Sequence, residues 1–511
     1  MLVEIKSVAS FGLESLGIDV EVNLATKSFP AFQIVGLPNK AIDEAKERVR
    51  TALINSKIKF PKKRITVNLA PADVPKSGSC YDLPIAVGIA CLVSKLIPPE
   101  KSLFFGELSL NGRLRHTKGA FLAALWAAEN KFTQLFVPAD SANEARVVQG
   151  VKVFPVKTLR QLLSHLRGEE KIKPLGRLRV LKKAFVEVEF DFADVLGQEQ
   201  AKRALEIAAA GGHNVFLSGP PGTGKTMLAR ALPGILPPLT WGESLEVTKI
   251  YSVSGLIPPQ GSLISQRPFR APHHNVSKVG LIGGGSYPMP GEISLAHRGV
   301  LFLDEIPEFS RTILEALRQP LEDGQISVSR AAGRVAYPSQ FILVASANPC
   351  PCGFANHPKR SCRCSPQEIN RYQKKLSGPL LDRIDLFVTV PPVAVKKLSS
   401  DPRAKKFLET SKKIRQRTVA ARSRQTKRFL KTKLKKPIHT NAEMNNKQIN
   451  SFCHLDRTCE KLLKQAMTQF SFSTRTYFRL IRVARTIADL AGERKIQSIH
   501  IAEALQYRMK E

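Results

Sequence analysis

One stretch of the sequence constrains the fold more than any other: an apolar run, a glycine-rich loop and a helical segment in direct succession. Residues 214–218 form the apolar run, residues 227–232 begin the helix, and the loop between them reads Gly219-Pro220-Pro221-Gly222-Thr223-Gly224-Lys225-Thr226. The loop matches G-x-x-x-x-G-K-[ST], in which glycines let backbone N–H groups surround phosphates at a helix N-terminus. The sequence therefore predicts an α/β core that binds ATP, with Lys225 at the β- and γ-phosphates and Thr226 at Mg²⁺. A glycine turn without function is the alternative, and the flanking strand and helix argue against it.

Two further predicted strands end in polar residues. Residues 299–303 run into Asp304 and Glu305, about eighty residues after the loop, and residues 341–346 run into Ala347 and Asn348. We expect Asp304 to hold Mg²⁺ through water and Glu305 to orient and deprotonate the attacking water. Asn348 is expected between the γ-phosphate and Glu305. A strand that ends in acids is common by itself, and its place downstream of the glycine loop makes the prediction specific.

Arg383 is a further candidate. It lies in the segment 378–385, which reads GPLLDRID and turns into another apolar run. Spacing alone favours equally a catalytic arginine and an ordinary surface ion pair with Asp382 or Asp385.

The charge of the chain calls for an anionic partner. The 511 residues include 78 Lys and Arg against 43 Asp and Glu, a formal net charge of +35. Nucleic acid or a membrane surface would suit this excess, and charge alone does not choose between them. The longest apolar run, residues 83–93, is shorter than the roughly 20 residues that span a bilayer. The N-terminal residues lack the apolar core of a signal peptide, so the expected location is the cytoplasm.

Composition, charge and periodicity divide the chain into four regions: residues 1–172, 190–392, 393–437 and 438–511. The third is the most basic, because residues 396–436 hold seventeen Lys and Arg against two acids. Like charges without acidic partners repel one another, which favours a nucleic-acid partner over the alternative of a solvated helix face. The last region has helical periodicity and predicts a small helical domain.

Four of the eight cysteines cluster within fifteen positions. They are Cys350, Cys352, Cys362 and Cys364. Four thiolates suit tetrahedral Zn²⁺, although the C-x-C spacing is tighter than the usual C-x₂₋₄-C. His357 is an alternative ligand, and a set of free thiols is the alternative to a metal site.

Taken together, these motifs resemble the magnesium-chelatase-like AAA+ ATPases of the ComM/YifB family. The resemblance rests on the glycine loop, the Asp304-Glu305 pair, the segment NPCPCG at 348–353, GPLLDRID, and the final segment 471–492, and it covers nearly the whole chain. It implies an AAA+ P-loop NTPase core, a Lon-protease-like α/β domain before it and a helical lid after it. It also implies a hexameric ring. Asp304 and Glu305 then match Walker B, Asn348 matches sensor 1, Arg383 matches an arginine finger acting on a neighbouring subunit, and Arg475 matches sensor 2.

The first region departs from active Lon-type proteases. Residues 76–80 resemble the turn that carries the nucleophilic serine, and residues 106–113 resemble the hairpin that leads to the catalytic lysine. Here Cys80 stands at the serine position and Phe121 falls near the lysine position. Phenylalanine cannot accept a proton, so we expect a domain without protease activity that packs, assembles or recruits.

Two segments are candidates for DNA contact. The resemblance places residues 266–285 in the pore of the ring, with Arg267, Arg270 and Lys278 as basic side chains near Phe269. Residues 324–334 predict a hairpin with Arg330 and Arg334 as phosphate contacts, although ordinary surface arginines are an equally good interpretation.

The resulting hypothesis is an ATP- and Mg²⁺-dependent hexameric DNA motor. As the family implies, it would perform helicase or branch-migration work in the recombination of incoming single strands, without sequence specificity. Its expected partners are DNA, further copies of the chain and recombination proteins. Two alternatives remain: a chelatase-type motor that drives magnesium insertion through a partner, and a protein-remodelling or Lon-like ring.

Overall fold

The computed structural model describes most of the chain. The described residues are 1–25, 29–36, 40–72, 76, 78–176, 189–257, 263–285, 288–330, 333–355, 357, 359–393, 408–430 and 438–508. Much of the basic region predicted at 393–437 therefore lies outside the described residues, as does the side chain of Arg330.

The N-terminal part contains two sheets. The first has the strand order Leu2–Phe11, Glu14–Ala25, Arg64–Ala70 and Ala31–Val35, with only the last pair parallel. The second is parallel, in the order Ser102–Phe104, Gln134–Pro138 and Lys152–Val156, and a short antiparallel ribbon joins Glu107–Leu108 to Leu114–Arg115. The helices are Lys40–Asn55, Asp82–Ser94, Ala120–Glu129, Ala139–Ala145 and Leu159–Leu166.

The apolar run 83–93 becomes a core helix. Helix Asp82–Ser94 is buried over most of its length against the first sheet, which explains why its sequence is apolar on every face. Among the described helices, none is both long and apolar enough to cross a membrane.

A five-stranded parallel sheet forms the centre of the molecule. Its strand order is Phe269–Arg270, Val300–Leu303, Ile342–Ala347, Val215–Ser218 and Leu386–Thr389. Because all five strands run the same way, their carboxyl ends meet at one edge of the sheet. The helices of this part are Glu199–Gly211, Lys225–Ala231, Trp241–Ser254, Lys278–Ile282, Glu292–Leu295, Arg311–Ala316, Arg318–Asp323, Pro366–Gln373 and Gly378–Leu381.

Two antiparallel ribbons project from the central part: Gly283–Gly284 with Met289–Pro290, and Gln325–Arg330 with Gly333–Pro338. The second is the hairpin predicted at 324–334. The C-terminal part is helical, as predicted, with helices Ser411–Leu430, Asn446–Phe452, Arg457–Gln469, Thr474–Ala491 and Ser498–Gln506. Its apolar faces share one core with the central sheet.

The N-terminal part packs directly on the central part. Leu245 and Val253, on helix Trp241–Ser254, lie against the core around Phe121. The turn between the first two strands contacts the ribbon Gln325–Pro338, since a Cβ on Gly12 would collide with Val335. The N-terminal part therefore contacts the middle of this ribbon, where Val335 pairs with Val328.

The arginines of the basic helix Ser411–Leu430 have partners within the chain, contrary to the expectation that its like charges repel one another. Arg415 donates to Gly234 O at 2.8 Å, Arg422 to Ala209 O at 2.9 Å, and Arg424 to Asp489 O at 2.7 Å. These acceptors lie near the C-terminal ends of other helices, where free carbonyls and the helix dipole favour cations. These arginines thus stabilise packing, and the exposed cations of this helix are Lys412, Lys413, Arg424 and Lys427.

Candidate active site

The glycine loop follows strand Val215–Ser218 of the five-stranded sheet, as predicted. Gly222 and Gly224 have φ of 76° and 89°, in the left-handed region that favours glycine, while an added Cβ would meet no atom within 4 Å. The sequence therefore needs glycine here for backbone conformation rather than for lack of space. The Thr223 hydroxyl closes the loop by donating to Pro220 O at 2.9 Å.

Lys225 joins the loop to the neighbouring strand. Its Nζ donates to Gly219 O at 2.6 Å, to Pro220 O at 2.9 Å and to Asn348 Oδ1 at 3.2 Å. Burial lowers the pKa of Lys225, while the carboxylates of Asp304 and Glu305 oppose that effect. The structure thus brings the predicted lysine and Asn348 into direct contact.

Asp304 lies at the end of the adjacent strand. Its Oδ2 accepts from the Thr226 hydroxyl at 2.9 Å, and its Oδ1 accepts from the Ser346 hydroxyl. Ser346 Oγ also accepts from the backbone N–H of Glu305 at 3.1 Å. Sequence reasoning missed Ser346, although a hydroxyl in the fully buried strand Ile342–Ala347 was an available signal.

Glu305 is exposed and has φ of 51°, a left-handed conformation for a non-glycine residue. Such a backbone costs about 1–3 kcal/mol and persists where the surroundings fix it. Here the Ser346 hydroxyl accepts from the N–H of Glu305, and the Glu305 carbonyl accepts from Glu308 N at 2.8 Å. Among the described residues, the Glu305 carboxylate makes no side-chain hydrogen bond or ion pair, so it can bind a water molecule.

The donor set fits Mg²⁺. A threonine hydroxyl and a carboxylate 2.9 Å apart at a glycine loop are hard oxygen ligands of the kind that Mg²⁺ takes together with phosphates. Thr226 and Asp304 would hold the ion, and the ion would neutralise charge on the phosphate oxygens.

Arg383 and Arg475 lie at the opposite edge of the sheet. Both line a cavity of about 580 Å³, together with Asn214 and Phe341 at the amino ends of the strands. The Arg383 guanidinium donates to Pro379 O at 2.6 Å and pairs with Glu322, rather than with Asp382 or Asp385. Arg475 is exposed. Neither arginine is placed to reach the glycine loop of its own chain.

The buried Nε of Arg383 has no hydrogen-bond partner among the described residues. A buried donor left without a partner carries a cost, so a site with one is suited to an acceptor from outside the chain.

The candidate DNA contacts divide into two groups. The Arg267 side chain is largely buried, pairs with Glu243 at 3.1 Å and donates to the Arg298 carbonyl at 2.6 Å, a geometry that does not favour the predicted contact with DNA. Arg270 is half-buried and bonds both carboxylate oxygens of Glu292 at 2.6 Å. Lys278 and Arg334 are exposed.

The four clustered cysteines converge in space. The Sγ of Cys350 lies 3.4 Å from that of Cys352 and 3.7 Å from that of Cys362, and all four Sγ atoms, Cys364 included, lie within 4.8 Å of one another. Ala355 N donates to Cys350 Sγ at 3.2 Å. Four converging thiols with backbone N–H donors fit a tetrahedral zinc ion.

His357 does not belong to this group. Its Nδ1 accepts from Lys359 N at 3.1 Å and from Arg360 N at 3.0 Å, so it organises the loop between the cysteine pairs.

The loop that carries Cys350 and Cys352 packs against the glycine loop. A Cβ on Gly353 would lie 2.7 Å from Pro221 Cδ, which shows how closely the two loops approach. Tyr372 is buried beside Asn348, and burial, together with Glu308 and Glu305, raises its pKa to about 12. The segment that begins at Asn348 is therefore held between the cluster and the loop.

The N-terminal part shows no activated nucleophile at Cys80. Burial, reinforced by the charge of Asp82, raises the pKa of the Cys80 thiol to about 12. Lys76 is buried and donates to Pro71 O, and Phe121 is fully buried in the core.

We expect Cys80 to resist alkylation in the folded protein, because its thiol stays protonated at neutral pH and only the thiolate reacts. Peptide mass spectrometry after brief iodoacetamide treatment at pH 7.5 measures this. Unfolding in denaturant should make Cys80 react, which serves as the control. Rapid modification of native Cys80 would contradict the geometry and reopen the possibility of a thiol nucleophile.

Three family models match the chain. Residues 20–141 match the model described as subunit ChlI of Mg-chelatase, and residues 191–398 match the model described as magnesium chelatase, subunit ChlI. Residues 408–508 match the model described as magnesium chelatase, subunit ChlI C-terminal.

Individual relatives match over different lengths. Competence protein ComM of Haemophilus influenzae is 44% identical over 510 residues, which cover 98% of this chain and 96% of that protein. The uncharacterized protein YifB of Escherichia coli is 41% identical over 506 residues, with the same two coverages. The magnesium-chelatase 38 kDa subunit of Rhodobacter capsulatus is 30% identical over 179 residues, or 31% of this chain and 50% of that protein.

Proposed function

Because the chain belongs to the ComM/YifB family of magnesium-chelatase-like AAA+ proteins, we propose that it is an ATPase that works on DNA as a hexameric ring. The ring would move strands by helicase or branch-migration action in the recombination of incoming single-stranded DNA. One observation carries the proposal: the glycine loop and the arginines Arg383 and Arg475 lie at opposite edges of the same sheet.

The proposed hydrolysis needs little covalent chemistry from the protein. Lys225 leaves the carbonyls of Gly219 and Pro220 to bind the β- and γ-phosphates of ATP. Glu305 orients the attacking water and accepts its proton, and Asn348 bridges Lys225 and that water. Ser346 keeps both acids of Walker B in place.

The positions of the two arginines support the proposal of a ring. Since Arg383 and Arg475 face away from their own loop, they complete the ATP site of a neighbouring copy. Such head-to-tail contact closes into a ring when the rotation permits. An arginine supplied in trans neutralises charge on the γ-phosphoryl group and is worth about 10³ or more in rate.

The DNA part of the proposal rests on exposed cations and on the family. Lys278 and Arg334 lie on exposed segments of the central part, and the chain carries a net charge of +35. Arg330 stays a proposal from the sequence. The relative ComM is named a competence protein, which agrees with DNA as the partner.

We also propose roles for the remaining regions. Residues 1–172 form a Lon-like domain without protease activity that supports the ribbon Gln325–Pro338. Residues 190–392 form the AAA+ core, and 438–511 form the lid behind the basic connector 393–437. The cysteine cluster binds structural zinc and braces the segment that carries Asn348.

A chelatase-type motor is the second candidate, because all three matching family models describe subunit ChlI of magnesium chelatase. It predicts ATP hydrolysis that ignores DNA. A protein-remodelling ring makes the same prediction, together with unfolding of protein substrates.

We expect single-stranded and forked DNA to stimulate ATP hydrolysis by the purified protein, and salt to suppress this stimulation steeply. If about six phosphates are neutralised, DNA affinity falls roughly 10³-fold between 50 and 200 mM salt. Turnover measured at several DNA and salt concentrations gives this slope. Hydrolysis that no DNA form affects would reject the DNA motor and favour the two alternatives.

The chain offers a matched pair of arginine variants for that measurement. Arg334→Gln removes an exposed cation and should lower the salt slope by about one per contact. Arg267→Gln breaks a buried ion pair with Glu243, so it should lower the free energy of unfolding by about 3–5 kcal/mol. The protein that stays folded should keep the same dependence of DNA affinity on salt.

A further inference from the structure

The two arginines that face a neighbouring subunit belong to separate elements. Arg383 follows the short helix Gly378–Leu381 and precedes strand Leu386–Thr389, whereas Arg475 begins the lid helix Thr474–Ala491. About ninety residues of sequence separate them. Nothing in the sequence fixes the distance between the two arginines. If both bind the phosphates of the same ATP, however, that distance has to be fixed.

An ion pair joins the two elements close to both arginines. Arg479 lies one helical turn after Arg475, and therefore on the same face of the lid helix. Its Nη1 donates to Asp385 Oδ1 at 2.8 Å, and both side chains are largely buried. Asp385 is two residues after Arg383.

Asp385 is fixed from the sheet side as well. Its Oδ2 accepts from Asn214 N at 3.2 Å and lies 3.4 Å from His213 Nδ1. Although burial raises the pKa of Asp385, Arg479 and His213 together hold it below its ordinary value, so the carboxylate stays ionised at neutral pH.

A second arginine makes a parallel link. Arg508 donates to Ile384 O at 2.8 Å and to the Thr476 hydroxyl at 3.3 Å, and its guanidinium lies 5.2 Å from the centre of the Phe387 ring. Ile384 adjoins Arg383 and Thr476 adjoins Arg475. Arg508, which follows helix Ser498–Gln506, thus bridges the same two elements that the Arg479–Asp385 pair joins directly.

We propose that Arg479 and Arg508 are positioning residues that hold Arg383 and Arg475 as one rigid unit, presented together to the ATP of a neighbouring subunit. This inference rests on the proposed function, since it assumes a ring in which both arginines act in trans. The lid and the arginine finger then move together, and one cannot engage the phosphates without the other.

The first test is the kinetics of Arg479→Gln. We expect kcat for ATP to fall about tenfold to a hundredfold, as for a misplaced catalytic group, with KM changed less than about twofold. Arg479→Lys keeps the charge and should recover part of kcat. Arg457→Gln, an exposed arginine on another lid helix, is the matched control and should behave as the unaltered protein. Unchanged kcat in Arg479→Gln would overturn the proposal.

The decisive test mixes two variants that each have little or no activity alone. Lys225→Ala damages only the loop side of an interface, and the proposal holds that Arg479→Gln damages only the arginine side. Equal mixing leaves about one interface in four with both sides intact, so activity should return to roughly that fraction. Arg479→Gln mixed with Arg383→Ala should show no gain over the average of the two variants measured separately, because both defects lie on the arginine side.

The opposite pattern would overturn the proposal. If Arg479 served the loop of its own chain, Arg479→Gln would be rescued by Arg383→Ala and not by Lys225→Ala. If Arg479→Gln does not fold, Arg508→Gln takes its place with the same expected pattern. A mixture of Lys225→Ala with Arg383→Ala tests the ring itself: no rescue there rejects the trans site of the proposed function, independently of Arg479.

Discussion

Glu305→Gln is expected to abolish turnover while ATP stays bound. The amide keeps the shape of the side chain and the hydrogen bond from Glu305 N to Ser346, so the left-handed backbone is preserved. What it loses is the base that accepts a proton from water, a contribution typically worth about 10²–10⁴ in rate. Single-turnover hydrolysis and equilibrium ATP binding measure the two properties separately.

Lys225→Ala gives the matched comparison. It removes the cation at the phosphates, so it should lose ATP binding along with hydrolysis. Both variants should also lose the stimulation by DNA. Glu305→Gln with near-normal turnover would show that Glu305 is not the base, and would direct attention to another acid near the loop.

Metal removal is expected to have the second-largest effect. We expect the purified protein to contain one zinc ion per chain, and Cys352→Ser to lower this content severely, because structural zinc depends on all four ligands. Binding of zinc in small domains contributes apparent free energies of about 10–16 kcal/mol to folding, which a short loop cannot replace by packing. Elemental analysis with thermal unfolding tests both statements.

The loss should extend to catalysis. Without the metal, the contact of Gly353 with Pro221 and the position of Asn348 are no longer fixed. A catalytic group displaced by about 1 Å can cost roughly 10²-fold in rate, so we expect kcat to fall by one to two orders of magnitude. Cys80→Ser, outside the cluster, should keep both zinc and activity. A protein that is metal-free and fully active would reject the zinc site.

Much of the nucleotide site follows from local sequence. The strand, glycine loop and helix around Lys225 form one continuous segment, and the spacing of glycines fixes the backbone. The polar ends of the strands at Asp304 and Asn348 meet this loop because parallel strands place their carboxyl ends at one edge. These residues lie together in the structure, and their catalytic roles stay predictions.

Local sequence did not predict which arginines are buried with partners and which are exposed. Arg267 and Arg334 look alike in sequence, yet the first is buried against Glu243 and the second is exposed. Along helix Ser411–Leu430, the partners of Arg415 and Arg422 are backbone carbonyls 181 and 213 residues away in the sequence. A charge count shows how many cations the chain carries. It does not show which of them will bind carbonyls and carboxylates of the chain itself.

The sequence by itself therefore determined the phosphate loop, the acids beside it and the family, because each depends on residues close in the chain or on a regular strand period. The tertiary structure alone decided that Arg383 and Arg475 lie at the other edge of the sheet, that Arg479 and Arg508 join the segments that carry them, and that Gly353 packs against Pro221. The physical reason is that these contacts connect separate elements. Their geometry is set by how the lid, the sheet and the loops pack against one another, and no local pattern encodes it.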